Sequence, residues 1–496
     1  MEIPVEPADS GAGVSQAALE TPVLVLDLDG TLCRTDTLHE ALFALLGTRP
    51  GVLFGLVFEL FKGKAAFKRR VADHHVIPGD ALPFNEEVLD LARQARAAGR
   101  RVVLVSAADQ RQVDAVAGHL GLFDEAFGTS GGEGGPNLGG AHKADFLVRR
   151  YGAQGVDYAG DRPVDLHVWK QARRVITGGA GRSLRRAAEA LDAEAQHLSP
   201  AQSPAARLRP YLRAMRPHQW LKNILVFLPM FAAHDTSNFG AAVAGFVAFC
   251  LLASSVYLLN DLVDLPADRA HPRKRLRPFA AGTIPILRGA VLAVLLLAGA
   301  GVIAVFFTPP AFLAVLVLYY VSTFVYSLWL KRKLIVDVLT LTGLYTLRII
   351  AGAAACNLML SPWMLGFSMF LFFALAAVKR QAELTDQLRD GRDKTAGRAY
   401  LTEDLPVLRG MGLSAGYAAV LVFALYINSE QVRPLYSTPE VLWLICPLLL
   451  YWISRMVMMT HRGHMTDDPI VYTARDRVSQ GIIVMSLGVF ALAGLL

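Results

Sequence analysis

The sequence predicts a multi-domain protein in which an α/β domain precedes an all-α bundle of about nine transmembrane helices. The chain has 496 residues, enough for two or three domains. Hydrophobic residues make up 53% of it, and in 211–496 they form runs of about twenty, the length that crosses about 30 Å of hydrocarbon. Residues 1–210 instead alternate strand-like and helical patterns, which is typical of an α/β domain.

Composition excludes several classes of protein. Residues 1–20, MEIPVEPADSGAGVSQAALE, are acidic and lack an apolar core, so we interpret them as a disordered leader and not a signal peptide. The four cysteines match neither a metal-site spacing nor a disulfide framework. The net charge of +7 comes from basic residues beside apolar runs, which favours anionic lipid or phosphate as the partner and argues against nucleic acid.

Three buried-strand patterns in the N-terminal half end in polar residues. PVLVLDLDGTL (22–32) ends in Asp-x-Asp-Gly-Thr, VVLVS (102–106) ends in Ser106, and GVDYAGDRPVD (155–165) carries Asp161 and Asp165. Helical patterns lie between them, for example at 85–99. Strands alternating with helices predict a parallel, doubly wound, Rossmann-like sheet, whose strand C-termini gather functional groups.

Over residues 21–180 these motifs resemble the haloacid dehalogenase superfamily of phosphatases. The resemblance implies that Asp27 is the nucleophile, Asp29 the general acid/base, Ser106 a phosphate-binding residue and Lys143 the cation that neutralises the phosphate. The chemistry is consistent: one carboxylate attacks phosphorus and a second carboxyl protonates the leaving oxygen. A strand-end turn would explain an isolated Asp-x-Asp, but not the ordered series of motifs.

The same resemblance implies a Mg²⁺ site and a helical cap. The expected metal ligands are Asp27, Asp29, Asp161 and Asp165. Residues 34–83 separate the first two motifs and are predicted to form the cap. This segment also has an apolar face followed by a basic tail, which fits a surface that rests on a membrane. Residues 181–210, with one short amphipathic helix and a Pro/Ala/Ser-rich stretch, are predicted to be a linker.

The membrane half, 211–496, contains nine predicted spans and a strong charge asymmetry. The spans lie near 218–234, 239–260, 285–307, 310–329, 335–356, 361–379, 406–427, 439–459 and 479–496. The loops after spans two, four, six and eight are rich in lysine and arginine, whereas the opposite loops carry Arg433 alone. This bias indicates an integral protein of a bacterial-type inner membrane, with the charged loops and the N-terminal domain in the cytoplasm.

An acidic row closes the second predicted span. It consists of Asn260, Asp261, Asp264 and Asp268. The spacing of three and four residues predicts that one helical face presents all three carboxylates. Mg²⁺ prefers oxygen ligands and often keeps substrate phosphate in its shell, so we interpret the row as a metal–diphosphate site. A solvated loop is the alternative, but charge beside hydrocarbon is costly and usually functional.

The pattern NDxxDxxxD in a chain of about nine helices resembles the UbiA superfamily of intramembrane prenyltransferases, across residues 205–496. The resemblance implies that the acidic row binds diphosphate through Mg²⁺, with Asp261 and Asp264 as the catalytic pair. The sequence differs from that family at its second acidic motif. Residues 378–401 contain Glu383, Asp386, Asp390 and Asp393, but these acids do not have the spacing that is usual in the family.

Four segments resemble one branch, the polyprenyl-phosphate phosphoribosyltransferases: RPHQWLKN (216–223), YSLWLKRKLIVDV (326–338), KRQAEL (379–384) and HRGHMTDDPIVYTARDR (461–477). The branch joins phosphoribosyl pyrophosphate (PRPP) to a lipid phosphate. Two anionic substrates require cations, and the candidate substrate-binding residues are Lys222, Asn260, Lys274, Arg277, Lys379, Arg380, Glu383, Arg462 and Arg475. Each cation is also explained as a topology-determining residue of a cytoplasmic loop.

We therefore expect a bifunctional enzyme: Mg²⁺-dependent transfer of 5-phosphoribosyl from PRPP to a polyprenyl phosphate, followed by removal of the 5-phosphate by the phosphatase-like domain. The alternative is transfer of a polyprenyl group from its diphosphate to an aromatic ring, which uses the same metal site. A membrane scaffold or transporter is a third hypothesis, against which the intact acids at both sites argue.

Overall fold

A computed structural model describes residues 22–129, 137–198, 203–389, 391, 398–430, 435–465 and 468–495. The predicted leader, together with Asp390, Asp393 and Arg433, lies outside these ranges. The chain forms two compact units. The first extends to Ala214 and also includes Asp261–Ala290, and the second comprises Met215–Asn260 and Val291–Leu496.

The first unit is built on a parallel sheet of six strands in its described part. The strands are β1 (Val23–Leu26), β2 (Val102–Asp109), β3 (Glu125–Thr129), β4 (Val156–Gly160), β5 (Arg174–Thr177) and β6 (Gln196–His197). Their order is β3-β2-β1-β4-β5-β6, and every pairing is parallel. From β1 the chain adds β2 and β3 on one side of the sheet and then β4, β5 and β6 on the other. The direction of strand order therefore changes at β1, which is the topological switch point. The predicted doubly wound sheet is confirmed.

Helices cover both faces of this sheet because its strands are apolar on both sides. The helices before residue 216 are α1 (Thr37–Thr48), α2 (Pro50–Glu59), α3 (Lys64–His74), α4 (Glu86–Ala97), α5 (Gln110–Leu120), α6 (Ala141–Tyr151), α7 (Leu166–Trp169), α8 (Arg182–Leu191) and α9 (Pro204–Met215). Leu24 and Leu26 pack under α4 and α5, whereas Val23 and Val25 pack under α6, α7 and α8, because strand side chains alternate between faces.

Part of the predicted linker belongs to the sheet. Helix α8 buries Ala188 in the core, and β6 pairs with β5 through Ile176 and Thr177. The predicted cap segment contains α1, α2 and α3, joined by a 3-10 turn at Leu60–Lys62.

The segment Asp261–Ala290 packs against this α/β domain through a buried ion pair. Arg269 donates from Nη1 and Nη2 to the two carboxylate oxygens of Glu40, over 2.7 and 2.5 Å. The same guanidinium donates to the carbonyl oxygens of Ala81 and Ala280. The side chain of Glu40 is 4% exposed and that of Arg269 is 10% exposed, and such a bidentate pair fixes orientation as well as distance.

The second unit is helical and carries the membrane-spanning segments. The remaining helices are α10 (Leu228–Ala232), α11 (Phe239–Val263), α12 (Leu265–Ala270), α13 (Ile286–Phe307), α14 (Pro310–Leu328), α15 (Val336–Cys356), α16 (Pro362–Arg389), α17 (Leu405–Ile427), α18 (Ile445–His461), α19 (Pro469–Arg475) and α20 (Arg477–Leu495). Of these, α12 belongs to the first unit. Among the described residues, eight helices are long and apolar enough to cross a membrane: α11, α13 to α18, and α20. Helices α11 and α13 run from one unit into the other.

The prediction of a first membrane span at 218–234 is wrong, so eight of the nine predicted spans remain among the described residues. It forms a 3-10 segment, Pro217–Phe227, followed by the short helix α10, and is not one of the eight long helices. Pro217 and Pro229 remove backbone donors, and Lys222 and Asn223 bury polar groups within the segment.

Gly352 in α15 tests how closely this segment packs. A Cβ at Gly352 would overlap the backbone carbonyl of Val226, whereas a Cβ at Gly343 in the same helix meets nothing. We expect Gly352→Ala to destabilise the fold by about 1–3 kcal/mol, as overpacking does, and to lower the thermal unfolding midpoint in detergent. Gly343→Ala is the matched control, and equal midpoints for the two variants would contradict the packing.

Candidate functional site

The first candidate site lies at the C-terminal edge of the sheet, directly after β1. Asp27 is buried there, and its Oδ1 accepts a hydrogen bond of 2.6 Å from Nζ of Lys143. Lys143 also donates to the hydroxyl of Tyr158, which donates to Oδ1 of Asp165. The structure thus brings the predicted lysine onto the predicted nucleophile. A buried lysine needs such a counter-charge, because burial without one is costly.

Three predicted metal ligands gather at this edge. Carboxylate oxygens of Asp27, Asp161 and Asp165 lie within 4.8 Å of one another, a donor set that suits Mg²⁺. Backbone N–H groups of Asp161 and Arg162 hold Asp165 in place. Gly30 has φ +90°, and a side chain there would overlap the Asp161 carboxylate, so only glycine fits this approach.

Asp29 is not a member of this metal group. Its Oδ1 accepts hydrogen bonds of 2.8 Å from the backbone N and the hydroxyl of Thr37 at the start of α1. Burial, and then the charge of Asp36, raise the pKa of Asp29 to about 7. Burial, and then the charge of Asp27, raise the pKa of Asp161 to about 8. An acid whose pKa lies near neutrality suits proton donation.

Ser106 and one further lysine complete the edge. Ser106 is buried in β2, where its Oγ accepts a hydrogen bond from the backbone N of Ala108. Lys68 of α3 donates to the carbonyl of Ala107 and to Oδ1 of Asn137, and burial lowers its pKa. Sequence reasoning did not single out Lys68; its signal was the basic run KAAFKRR within the predicted cap.

The acidic row of the membrane half does not lie on one continuous helix, which corrects that expectation. Helix α11 ends at Val263, Asp264 has non-helical dihedral angles, and α12 begins at Leu265. Pro266 explains the break, because its ring lacks an N–H and clashes with the preceding turn. The Leu-Pro pair was the available signal in the sequence.

Arg277 contacts two of the three aspartates of the acidic row. Its Nη1 donates to Asp261 over 3.2 Å and to Asp268 over 2.6 Å. Burial raises the pKa of Asp268, and the nearby charge of Arg277 opposes that rise. Asp261 and Asp268 therefore lie close enough to share one positively charged group, here the guanidinium of Arg277. Lys274, also predicted to bind phosphate, is exposed in the same loop.

The second unit contains a polar cavity of about 200 Å³. Its charged and amide lining residues are Lys222, Asn260, Arg348, Lys379 and Arg398, together with four tyrosines. Three of these residues, Lys222, Asn260 and Lys379, were predicted from the sequence. Arg348 was missed, although a charge in the middle of predicted span 335–356 was the signal. It is buried and donates to Asn223 Oδ1 and the Tyr319 hydroxyl.

The carboxylate of Asp468 accepts hydrogen bonds from both lysines of the cavity lining. Lys222 donates to Oδ2 of Asp468 over 2.5 Å, and Lys379 donates to the same oxygen over 3.1 Å. Asp468 is buried, and the two lysines hold its pKa well below its usual range. The paired lysines therefore present a preorganised positive charge.

Arg380 is enclosed in an ion-pair network that also includes the cavity residue Arg398. Its side chain is 1% exposed and contacts both carboxylate oxygens of Asp337. It also donates to Glu383, which a second arginine, Arg398, contacts at 3.1 Å. This geometry differs from the substrate-binding role predicted for Arg380 and Glu383, because the guanidinium is already occupied by protein carboxylates.

Arg462 and Arg475 do not line the polar cavity. Arg462 is exposed at the C-terminal end of α18, and its carbonyl accepts a hydrogen bond from Arg389. Arg475 lines a different, mostly apolar cavity that Trp220 and Val471 also line. The structure therefore places two predicted phosphate-binding cations outside the lining of the polar cavity.

Comparison with known families agrees with the fold of both parts. Residues 224–475 match the UbiA prenyltransferase family, and residues 24–170 match the haloacid dehalogenase-like hydrolases. The chain belongs to the UbiA prenyltransferase family and carries an N-terminal haloacid dehalogenase-like domain. Its spans and family make it an integral membrane enzyme.

Three relatives cover different shares of the chain. Uncharacterized protein y4nM of Sinorhizobium fredii is 37% identical over 95% of this chain and 90% of its own length. Nodulation protein NoeC of Azorhizobium caulinodans is 37% identical over 54% of this chain and 87% of its own. Decaprenyl-phosphate phosphoribosyltransferase of Mycobacterium tuberculosis is 38% identical over 56% of this chain and 92% of its own.

Arg380 allows a test that separates stability from substrate binding. We expect Arg380→Met to destabilise the protein by about 3–5 kcal/mol, because it removes one partner of a buried ion pair. The thermal unfolding midpoint in detergent measures this effect. Arg332→Met removes the same charge from an exposed turn and is the control. Wild-type stability combined with weakened substrate binding would instead make Arg380 a substrate ligand.

Proposed function

We propose that this protein transfers the 5-phosphoribosyl group of PRPP to a polyprenyl phosphate, and that its haloacid dehalogenase-like domain then removes the 5-phosphate. The observation that carries the proposal is the polar cavity of about 200 Å³. Four cationic side chains line it: Lys222, Arg348, Lys379 and Arg398. Decaprenyl-phosphate phosphoribosyltransferases among the relatives support the same chemistry.

The cations suit a reaction between two anions. A lipid phosphate and a diphosphate donor repel each other, and positive side chains in a low-dielectric cavity offset that repulsion. Lys222 and Lys379 act as point charges. Arg348 and Arg398, whose guanidinium groups already contact protein partners, add positive charge to the wall of the cavity. Transfer to a neutral aromatic acceptor would require fewer cations, which is why we favour a phosphate acceptor.

The acidic row is proposed to hold the donor. Asp261, Asp264 and Asp268 supply carboxylate oxygens of the kind that bind Mg²⁺, and Asn260 precedes them in the chain and lines the polar cavity. Bound Mg²⁺ would supply charge neutralisation for the departing pyrophosphate. Arg277, in the loop after α12, contacts Asp261 and Asp268. We propose that it also neutralises charge on the substrate phosphate.

The transfer step needs no strong base. A lipid phosphate oxygen forms a bond to C1 of the ribose while the bond from C1 to the pyrophosphate oxygen breaks, and its electron pair leaves with the pyrophosphate. A phosphate dianion is already nucleophilic, so the role of the protein is to orient the substrates and stabilise charge. The product is a polyprenyl-phosphoryl 5-phosphoribose.

The second step is proposed for the sheet-edge site. Asp27 attacks the 5-phosphate, the bond from phosphorus to the ribose oxygen breaks, and Asp29 donates its proton to that oxygen. Water then hydrolyses the aspartyl phosphate and releases inorganic phosphate. Lys143 offsets negative charge beside Asp27, and Asp27, Asp161 and Asp165 would hold Mg²⁺, which would polarise the phosphate.

Packing of the acidic-row segment against the α/β domain, within the first unit, supports consecutive action. Glu40 lies on α1, whose first residue, Thr37, binds Asp29, and Arg269 directly follows Asp268 in the acidic row. Tethered sites exchange a shared intermediate at an effective concentration in the millimolar range. The charge bias of the loops supports a cytoplasmic location for both sites.

Ribose-labelled PRPP tests the transfer. With full-length protein, polyprenyl phosphate and Mg²⁺, we expect label in the lipid phase and release of one pyrophosphate per lipid. Asp261→Asn is expected to slow the reaction on the order of 100-fold, the typical effect of removing one electrostatic group from a transition state. Glu403→Gln, an exposed acid, is the control. If the label stays in water while an aromatic acceptor becomes prenylated, the alternative prenyl transfer replaces our proposal.

A second substitution tests the dephosphorylation. We expect Asp27→Asn to stop the release of inorganic phosphate, because it removes the nucleophile, while pyrophosphate release continues. Mass spectrometry of the lipid extract should then find the 5-phosphorylated product. Asp145→Asn, an exposed acid on α6, is the matched control. Unchanged phosphate release by Asp27→Asn would refute the role assigned to this domain.

A further inference from the structure

Helix α2 of the first unit presents an apolar face that nothing in the described chain covers. Phe54, Phe58 and Phe61 are 78%, 70% and 87% exposed, and Val57 is exposed between them. The positions 54, 57, 58 and 61 follow the spacing of one helical stripe. The fourth member, Phe61, lies in the 3-10 turn that continues α2.

The opposite side of α2 is anchored in the protein. Leu56 is buried in the core beneath the sheet, and Val52 and Leu53 pack against that core. The exposed stripe is therefore held in a defined direction by packing on the other side. Soluble proteins rarely expose a contiguous apolar patch of this kind without a partner.

Basic residues follow the stripe in the chain. Residues 59–73 contain five basic residues, Lys62, Lys64, Lys68, Arg69 and Arg70, and two acidic residues, Glu59 and Asp73. Lys62 and Lys64 are exposed directly beside Phe61. Glu59 pairs with Lys62 at 3.1 Å, and Asp73 pairs with Arg70 at 3.6 Å, so the surplus of charge is positive. This complements an anionic surface.

The unit that carries α2 is continuous in the chain with two candidate membrane spans. It includes Asp261–Ala290, which contains the end of span α11 and the start of span α13. The Glu40–Arg269 pair attaches α1 to this segment, and only Arg49 separates α1 from α2. The stripe therefore belongs to the same compact unit as two span ends.

We propose that α2 is an interfacial membrane helix, which inserts Phe54, Val57, Phe58 and Phe61 into the leaflet beside the haloacid dehalogenase-like domain. Lys62 and Lys64 contact anionic phospholipid headgroups. The helix has ten residues, about 15 Å at 1.5 Å per residue, which is too short to span the membrane but suits a position in its interface. This contact is independent of the transfer and dephosphorylation steps proposed above.

A fluorescence measurement on the full-length protein tests the contact. Phe58→Cys is labelled with an environment-sensitive fluorophore and reconstituted into vesicles of phosphatidylcholine and phosphatidylglycerol. The native cysteines are buried, which favours labelling at the introduced position, and the unsubstituted protein measures background. Leu191→Cys on α8, another exposed apolar position, is the matched control. We expect a blue-shifted emission, and quenching by spin-labelled lipid, at position 58 but not at 191.

Lipid composition tests the role of the basic residues. Replacing phosphatidylglycerol by phosphatidylcholine is expected to weaken quenching at position 58. Equal emission and quenching at positions 58 and 191 would overturn the proposal. Quenching that arises only when a second, spin-labelled copy of the protein is present would also overturn it, because the stripe would then be a surface for self-association. Neither outcome depends on enzymatic activity.

Discussion

The ion pair between Glu40 and Arg269 attaches the segment that carries the acidic row to the α/β domain. A buried guanidinium must have its charge and its donors satisfied, and Arg269 meets this requirement with Glu40 and the carbonyls of Ala81 and Ala280. The loop that carries the acidic row is therefore fixed against the α/β domain. The proposed sequential reaction and the proposed membrane contact of α2 both depend on this attachment.

Compensated charge is the common feature of every candidate site. Lys143 faces Asp27, Lys222 and Lys379 share Asp468, and Arg277 joins Asp261 to Asp268. Phosphate chemistry requires concentrated charge, and a folded interior tolerates such charge only when opposite charges are paired. The same pairing keeps the side chains oriented before substrate arrives, which lowers the reorganisation needed during reaction.

The gathering of three acids at the sheet edge could be predicted from the sequence, because their positions follow from local order along the strands. Asp27, Asp161 and Asp165 each follow a buried strand, and parallel strands end at one edge, so their meeting was predictable. Sequence reasoning was less successful for the acidic row, where spacing suggested one helical face but Pro266 divides the segment into α11 and α12. Arg380 shows the same difficulty: sequence identifies a cation near the membrane, but not the carboxylate of Asp337 that encloses it.

The sequence by itself determined the sheet, the eight long apolar helices of the described residues and the family, because these depend on periodicity and on motifs a few residues long. Only the tertiary structure decided which charges meet. Lys379 and Asp468 lie 89 residues apart in the chain, and Glu40 and Arg269 lie 229 apart. Such partners are chosen by the packing of whole elements, and no local pattern in the sequence records that choice.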